Sequence, residues 1–238
     1  MLKKRDVIIA CDFADKSALE QFLRQFQDEK LFCKVGMELY YSEGPDIVRL
    51  IKSLGHNIFL DLKLHDIPNT VGKAMKRLGA LGVDMTNLHA AGGSEMMKAA
   101  LEGLREGSAG DVPLLIAVTQ LTSTGAEMLK NELLIDTPLN DTVVSYAKNA
   151  CSCGLDGVVC SPLETPIVKA ACGENFLTVT PGIRYPDSGS DDQTRITTPE
   201  KARTLGSDYI VVGRPITASA DPVAAYRRVL NDFLQEDM

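Results

Sequence analysis

Apolar residues in this chain gather into short dense runs separated by longer segments of mixed character, and the alternation repeats eight times. The runs are Val7–Phe13, Leu31–Met37, Asn57–Leu64, Met85–Ala90, Pro113–Leu121, Gly154–Ser161, Phe176–Ile183 and Tyr209–Ile216. Most are rich in Val, Ile, Leu and Phe without strict alternation, the pattern of parallel strands covered on both faces. The segments between them carry helical signals. Leu19, Phe22, Leu23 and Phe26 recur at i, i+3, i+4 and i+7 behind Asp15 as N-cap. Met96, Met97, Ala100, Leu101 and Leu104 repeat that spacing after the fourth run, and Asp221-Pro222 places an N-cap before a proline at the first helical position after the eighth. These stripes read as helix surfaces packed on a sheet. Eight β/α units in 238 residues, with no Pro/Ser-rich linker and no shift of composition, predict an α/β fold in which residues 1–238 form a single-domain (β/α)8 TIM barrel. The competing arrangement, an open doubly wound sheet, would want a glycine-rich turn after its first strand, where this chain has Ala10-Cys11-Asp12-Phe13.

Charge narrows the partners. Lys+Arg 25 against Asp+Glu 32 gives −7, which argues against a nucleic acid or an anionic membrane held by bulk charge. A small anionic ligand would need a local positive site. No apolar run approaches bilayer length, and Met1-Leu2-Lys3-Lys4-Arg5 leads into a strand-type run rather than a signal-peptide core, so a soluble cytoplasmic protein is expected. The six cysteines (11, 33, 151, 153, 160 and 172) read as reduced thiols; Cys151-Ser152-Cys153 lacks the two-residue spacer of a redox motif. His56, His65 and His89 show no His-x-x-x-His spacing, so structural or supporting roles are expected and no metal site.

In a barrel, polar residues at the C-terminal strand ends build the site. Here those positions hold Asp12, Lys34, the stretch Asp61-Leu62-Lys63-Leu64-His65-Asp66-Ile67-Pro68-Asn69-Thr70, then Thr119-Gln120-Leu121-Thr122-Ser123, Thr180-Pro181-Gly182-Ile183-Arg184, and Val212-Gly213-Arg214-Pro215. Asp61 and Lys63, two residues apart, share one face of a strand while their flanking leucines face the helices. Buried charges need partners, and Lys34 on the neighbouring strand can interleave with both. A purely structural ion-pair layer is the plainer alternative. Asp66 lies beyond the strand, where it either leaves the pocket altogether or caps the next helix with Asn69 and Thr70. The Gly/Ser/Asp/Pro-rich stretch Gly182–Gln193 has the composition of a lid, and Gly213-Arg214 suits a phosphate: glycine admits its oxygens to the backbone and arginine offers a fork.

Asp61-x-Lys63-x-x-Asp66-Ile67-Pro68-Asn69-Thr70 resembles the signature of the orotidine 5′-phosphate decarboxylase family. The resemblance runs the length of the chain through Asp12, Lys34-Val35-Gly36, His89-Ala90-Ala91-Gly92-Gly93, Thr119–Ser123, Thr180–Arg184, Asp192-Gln193 and Val211–Arg214. It implies cofactor-independent decarboxylation of orotidine 5′-phosphate to UMP and CO2, the last step of de novo UMP synthesis, by a homodimer with shared active sites. Lys34, Asp61, Lys63 and Asp66 would form the charged array at the reacting carbon, with Lys63 protonating C6 and Asp66, Ile67 and Thr70 crossing from the other subunit. Asp12 and Lys34 would hold the ribose, Thr122 or Ser123 the pyrimidine edge, and Gln193, Gly213 and Arg214 the 5′-phosphate, with Arg184 on the closing loop.

Two rivals remain at this level. A magnesium-dependent sugar-phosphate aldolase or decarboxylase of the related superfamily shares Asp-x-Lys-x-x-Asp but needs a carboxylate on the second strand, where this chain has Lys34. A non-catalytic nucleotide-binding barrel would bind UMP without turnover, and would keep the charged array at a stability cost with no chemical use.

Overall fold

A computed structural model describes residues 2–26, 29–185 and 196–235. Each of the eight runs overlaps a strand, β1 starting one residue ahead of its run: β1 (Asp6–Ala10), β2 (Phe32–Val35), β3 (Asn57–Leu64), β4 (Met85–His89), β5 (Leu114–Val118), β6 (Gly157–Val159), β7 (Leu177–Thr180) and β8 (Tyr209–Val212). Each pairs in parallel with the next, and β8 returns to β1, closing a barrel. The helices outside it are α1 (Lys16–Leu23), α2 (Met37–Glu43), α3 (Asp46–Ser53), α4 (Pro68–Ala80), α5 (Gly93–Gly107), α6 (Ala126–Asn131), α7 (Leu139–Ser152), α8 (Thr165–Cys172), α9 (Pro199–Thr204), α10 (Arg214–Thr217) and α11 (Pro222–Leu234). None of them is long and apolar enough to cross a membrane.

Several strands end before their apolar run does. Ile183 and Ile216 are buried, yet Ile183 lies past β7 and Ile216 belongs to α10. Burial extends an apolar run beyond the point where ladder pairing stops, so hydrophobicity alone overstates strand length. The helix starts follow their local signals: Asp15 accepts the Ala18 N–H at 2.9 Å and Asp221 the Ala224 N–H at 2.9 Å.

Strand parity divides the core in two. Ile8, Phe32, Phe59, Met85, Ile116, Val179 and Tyr209 fill the barrel interior, while Val7, Cys33, Leu60, Leu88 and Ile210 face the helix layer. The six cysteines, all among the described residues, form no disulfide, and four of them are buried. Helices α4 and α5 approach to backbone contact: a Cβ added at Gly103 would lie 2.0 Å from the Gly72 carbonyl oxygen, and one at Gly107 2.0 Å from that of Lys76.

The N-terminal end of the barrel is tied by a device that repeats before alternate strands. Gly82-Val83-Asp84, Gly154-Leu155-Asp156 and Gly206-Ser207-Asp208 lead into β4, β6 and β8, with glycine φ of 73°, 82° and 89°. That left-handed turn suits glycine and frees the chain to enter the strand. Each aspartate then brackets one residue of the preceding strand. Its carboxylate accepts the N–H of Ile58, Leu115 or Thr178 at 2.7, 2.8 and 2.8 Å. Its own N–H donates to the same residue's carbonyl at 3.0, 3.0 and 3.2 Å.

Candidate active site

The opposite end opens into a cavity of about 530 Å³, lined by Ala10, Asp12, Lys34, Phe59, Asp61 and Lys63 from one side and by Thr122, Arg184, Gly213 and Arg214 among others from the other. Phe59, Val118, Val159 and Val211 line it as well, so the charged groups lie against apolar neighbours. That volume is in the range of small-ligand sites.

Register sets the charges level with one another. Ala10 pairs with Lys34 and Lys34 with Phe59, so Lys34 reaches the mouth between Asp12, just past β1, and Asp61, two residues beyond Phe59. The Lys34 ammonium lies 2.9 Å from Asp12 Oδ1 and 3.5 Å from Asp61 Oδ2. Lys63 Nζ donates to Asp61 Oδ1 at 2.7 Å. Asp61 therefore sits between two ammoniums. Burial alone would raise its pKa, but Lys34 and Lys63, with hydrogen bonds from Lys63 and Asn87, outweigh burial and hold it below the usual carboxylate range. Burial likewise pulls Lys34 down, and Asp61 and Asp12 more than restore it, leaving its pKa raised. Both shifts favour the charged forms of Asp61 and Lys34. Gly36 leaves room for it, since a Cβ there would lie 3.1 Å from Asp12 Oδ1 and 3.2 Å from Lys34 Nζ.

Parity places Asp61 and Lys63 on the cavity side as expected, with Leu60 and Leu62 in the outer core. The strand is irregular there: Leu60 pairs with Thr86 but Leu64 with Leu88, and Lys63 adopts φ 51°. A bulge thus aims Lys63 at the mouth. Asn87 holds this bulge from β4, accepting the Lys63 N–H at 2.8 Å and donating to Asp61 Oδ1 at 2.6 Å. Sequence reasoning passed over Asn87; the available signal was a polar residue of interior parity between Met85 and His89.

The remaining sequence candidates divide. Thr122 lines the cavity, whereas Ser123 is exposed and outside the lining. Asp66, Ile67 and Thr70 are exposed and outside the lining too, with Ile67 66% accessible. Asp66 accepts the N–H of Ile67 at 2.6 Å, and α4 has no side-chain cap, so the helix-capping alternative for Asp66 is not what forms. Arg184 is anchored where the Gly182–Gln193 stretch begins: its N–H donates to Thr197 O at 2.9 Å, and the Thr197 N–H to Gly182 O at 2.9 Å. Gln193, with the rest of residues 186–195, lies outside the described residues. The histidines do not line the cavity. His56 Nδ1 accepts the Leu31 N–H at 3.2 Å, and the His65 and His89 rings meet at a tilt of 36° with centroids 5.8 Å apart.

The chain is similar to known proteins in both sequence and fold. The family model described as orotidine 5′-phosphate decarboxylase / HUMPS family matches residues 5–229. The orotidine 5′-phosphate decarboxylase of Bacillus cereus (strain AH187) is 56% identical over 227 residues, 94% of this chain and 95% of that one. That of Geobacillus thermodenitrificans (strain NG80-2) is 57% identical over 228 residues, 95% of each. Among solved structures, orotidine 5′-phosphate decarboxylase from Lactobacillus acidophilus superposes with a TM-score of 0.86 at 44% identity, covering 97% of this chain and 99% of that one. The chain belongs to the orotidine 5′-phosphate decarboxylase / HUMPS family.

Proposed function

We propose that this chain decarboxylates orotidine 5′-phosphate to UMP and CO2, the closing step of pyrimidine nucleotide synthesis, without a cofactor and in the cytoplasm, with residues 1–238 working as one domain. The observation that carries this reading is the Lys34–Asp61–Lys63 array, charged, half-enclosed and set in the same cavity as Arg184 and Arg214.

The chemistry accounts for the residue types. Cleaving the C6–carboxylate bond leaves its electron pair in an in-plane orbital at C6 that the ring π-system cannot absorb. Stabilisation must come from fixed charge. The Lys63 ammonium faces that carbon, opposes the developing negative charge, and gives up the proton that forms the new C6–H bond; solvent then reprotonates the neutral amine. Asp61 holds Lys63 in place and crowds the departing carboxylate. Asp12 and Lys34 take the ribose hydroxyls, Thr122 or Ser123 the pyrimidine edge, and Gln193, Gly213 and Arg214 the phosphate dianion with Arg184 beside it. Contacts to that remote dianion contribute to turnover as well as affinity.

Asp66, Ile67 and Thr70 complete the site of a second copy in a homodimer. Their exposure beside the mouth, three residues beyond Lys63 in the case of Asp66, supports this. The magnesium-dependent relatives fit the residues less well, because Lys34 would repel a cation held by Asp61.

The deciding experiment follows the ultraviolet absorbance of orotidine 5′-phosphate with purified protein, with and without EDTA. Turnover insensitive to EDTA is expected; turnover only with added Mg2+ would favour the metal-dependent relatives, and UMP binding without turnover the non-catalytic barrel. For the shared site, mixing inactive Asp66→Asn with inactive Lys63→Ala should restore activity through hybrid dimers. No recovery despite subunit exchange would overturn it.

A further inference from the structure

Asn87 is fully buried on β4 and does not line the cavity, yet it bonds to both halves of the Asp61–Lys63 pair. The direction of its carboxamide is forced. The Lys63 backbone N–H can only donate, so the amide oxygen faces it and the amide NH2 faces Asp61 Oδ1. One side chain thereby serves two purposes. It supplies an acceptor to a backbone that has left the β3–β4 ladder at a left-handed Lys63, and it donates to the oxygen that also receives the Lys63 ammonium. From this geometry we infer that Asn87 is a positioning residue for the proton donor, fixing the bulge that aims Lys63 into the cavity and the carboxylate rotamer that holds its ammonium. The inference rests on the decarboxylase reading for its effect on turnover, but not for the contacts themselves.

An apolar residue would break both links, and an aspartate would break one of them selectively. Asn87→Asp keeps an acceptor for the Lys63 N–H while replacing the donor to Asp61 with a second carboxylate; Asn87→Ala removes both. The groups facing Asp61 are Lys34 on β2, Lys63 on β3, Asn87 and His89 on β4, and Asp12 through Lys34. Among the described residues, Asn87 is the uncharged group that donates a hydrogen bond to Asp61. Its N–H favours the ionised form of Asp61, so losing it raises the pH at which Asp61 takes up a proton and the array falls out of register.

The test combines kinetics with measurements that need no turnover. In Asn87→Asp, kcat is expected to fall about tenfold or more, the scale of one lost buried hydrogen bond to a charged group, while KM changes less than about threefold because the side chain does not touch substrate. The acid limb of the kcat–pH profile should move up by about one unit, and further than in Asn87→Ala. Unchanged kcat and an unmoved acid limb, or a rise in KM with kcat preserved, would overturn the positioning role. In the unsubstituted protein, the Lys63 amide should exchange with solvent at least about a hundredfold more slowly than those of His65 and Asp66, which holds whether or not the variants fold. Equally fast exchange would overturn the clamp. A chain that failed to decarboxylate would fail in the unsubstituted protein first, and would leave the exchange result and the Asp61 carboxyl titration standing.

Discussion

The two ends of the barrel both bury aspartate–lysine pairs, and they finish them differently. At the N-terminal end the Lys169 ammonium meets Asp208 at 2.6 Å and the carbonyls of Glu174 and Phe176 at 2.8 and 3.0 Å. Asp208 in turn accepts the Thr178 N–H at 2.8 Å and its hydroxyl at 3.1 Å. Each of the three ammonium protons has an acceptor, so nothing remains for a ligand to do. At the C-terminal end, among the described residues, the Lys63 ammonium meets Asp61 alone, at 2.7 Å, and its side chain keeps 27% of its surface open to the cavity. Burial and pairing are common to both. What separates a site from a rivet is unspent hydrogen-bonding capacity pointed into a cavity.

Replacing each lysine by a neutral residue should separate the two ends cleanly, and the largest effect belongs to the mouth. On the proposed chemistry Lys63→Ala should lower kcat by on the order of 10⁴-fold, since it would remove both the charge at C6 and the proton. Its thermal midpoint should stay within a few degrees of the parent, because the side chain is open to the cavity and packs little. A large loss of stability with per-molecule activity kept would show that the mouth is a structural layer after all.

Lys169→Met tests the converse. Removing one partner strands the Asp208 carboxylate against β7 and should cost about 3–5 kcal/mol in denaturant unfolding, with kcat per folded molecule unchanged. A cost below about 1 kcal/mol would mean that Asp208 is satisfied by Thr178 without the lysine. Between the ends runs α4, with Asp66–Thr70 at its start and the Gly82 turn after it. Gly103→Ala on α5 puts a methyl 2.0 Å from the Gly72 carbonyl and should cost about 1–3 kcal/mol. It should also weaken the Asp66→Asn/Lys63→Ala complementation if α4 sets where Asp66 stands. Unaltered stability would mean that α5 slides away freely.

The same contrast explains what the sequence made legible. The barrel was readable because its strands are sealed on both faces, so Val7–Phe13 and Leu31–Met37 stand out as dense apolar runs, each holding a single charge, Asp12 or Lys34. Asp61 and Lys63 were readable because they interrupt such a run with opposite charges. Their geometry was not: the bulge that turns Lys63 to φ 51° depends on Asn87 of another strand, a contact 24 residues away that no local pattern encodes. The N-terminal device, by contrast, is written locally, since Gly-x-Asp recurs ahead of three alternate strands. Asp66 marks the limit of a single chain: under the proposed homodimer its exposed carboxylate would serve a second copy, which no pattern within one chain encodes.

The smallest expected effect is the sharpest test of how the N-terminal aspartates act. Asp156 occupies the same place as Asp208, but no lysine pairs with it among the described residues; burial raises its pKa, against the pull of the Leu115 N–H and the Arg105 charge. Asp61 has the opposite sign. A lowered pKa adds stability that is present above the unfolded value, near pH 3.9, and is lost as pH falls through the folded value. The raised pKa of Asp156 subtracts stability once pH exceeds its folded value, and that penalty vanishes below the unfolded one. Asp156→Asn keeps an oxygen for the Leu115 N–H and sheds the charge. It should therefore stabilise the protein at pH 7 by a few tenths of a kcal/mol, at most about 1 given the half-buried carboxylate, with the gain fading by about pH 3. A loss at pH 7 instead would mean that the aspartate holds its strand through its charge, as Asp208 does, rather than through the hydrogen bond alone.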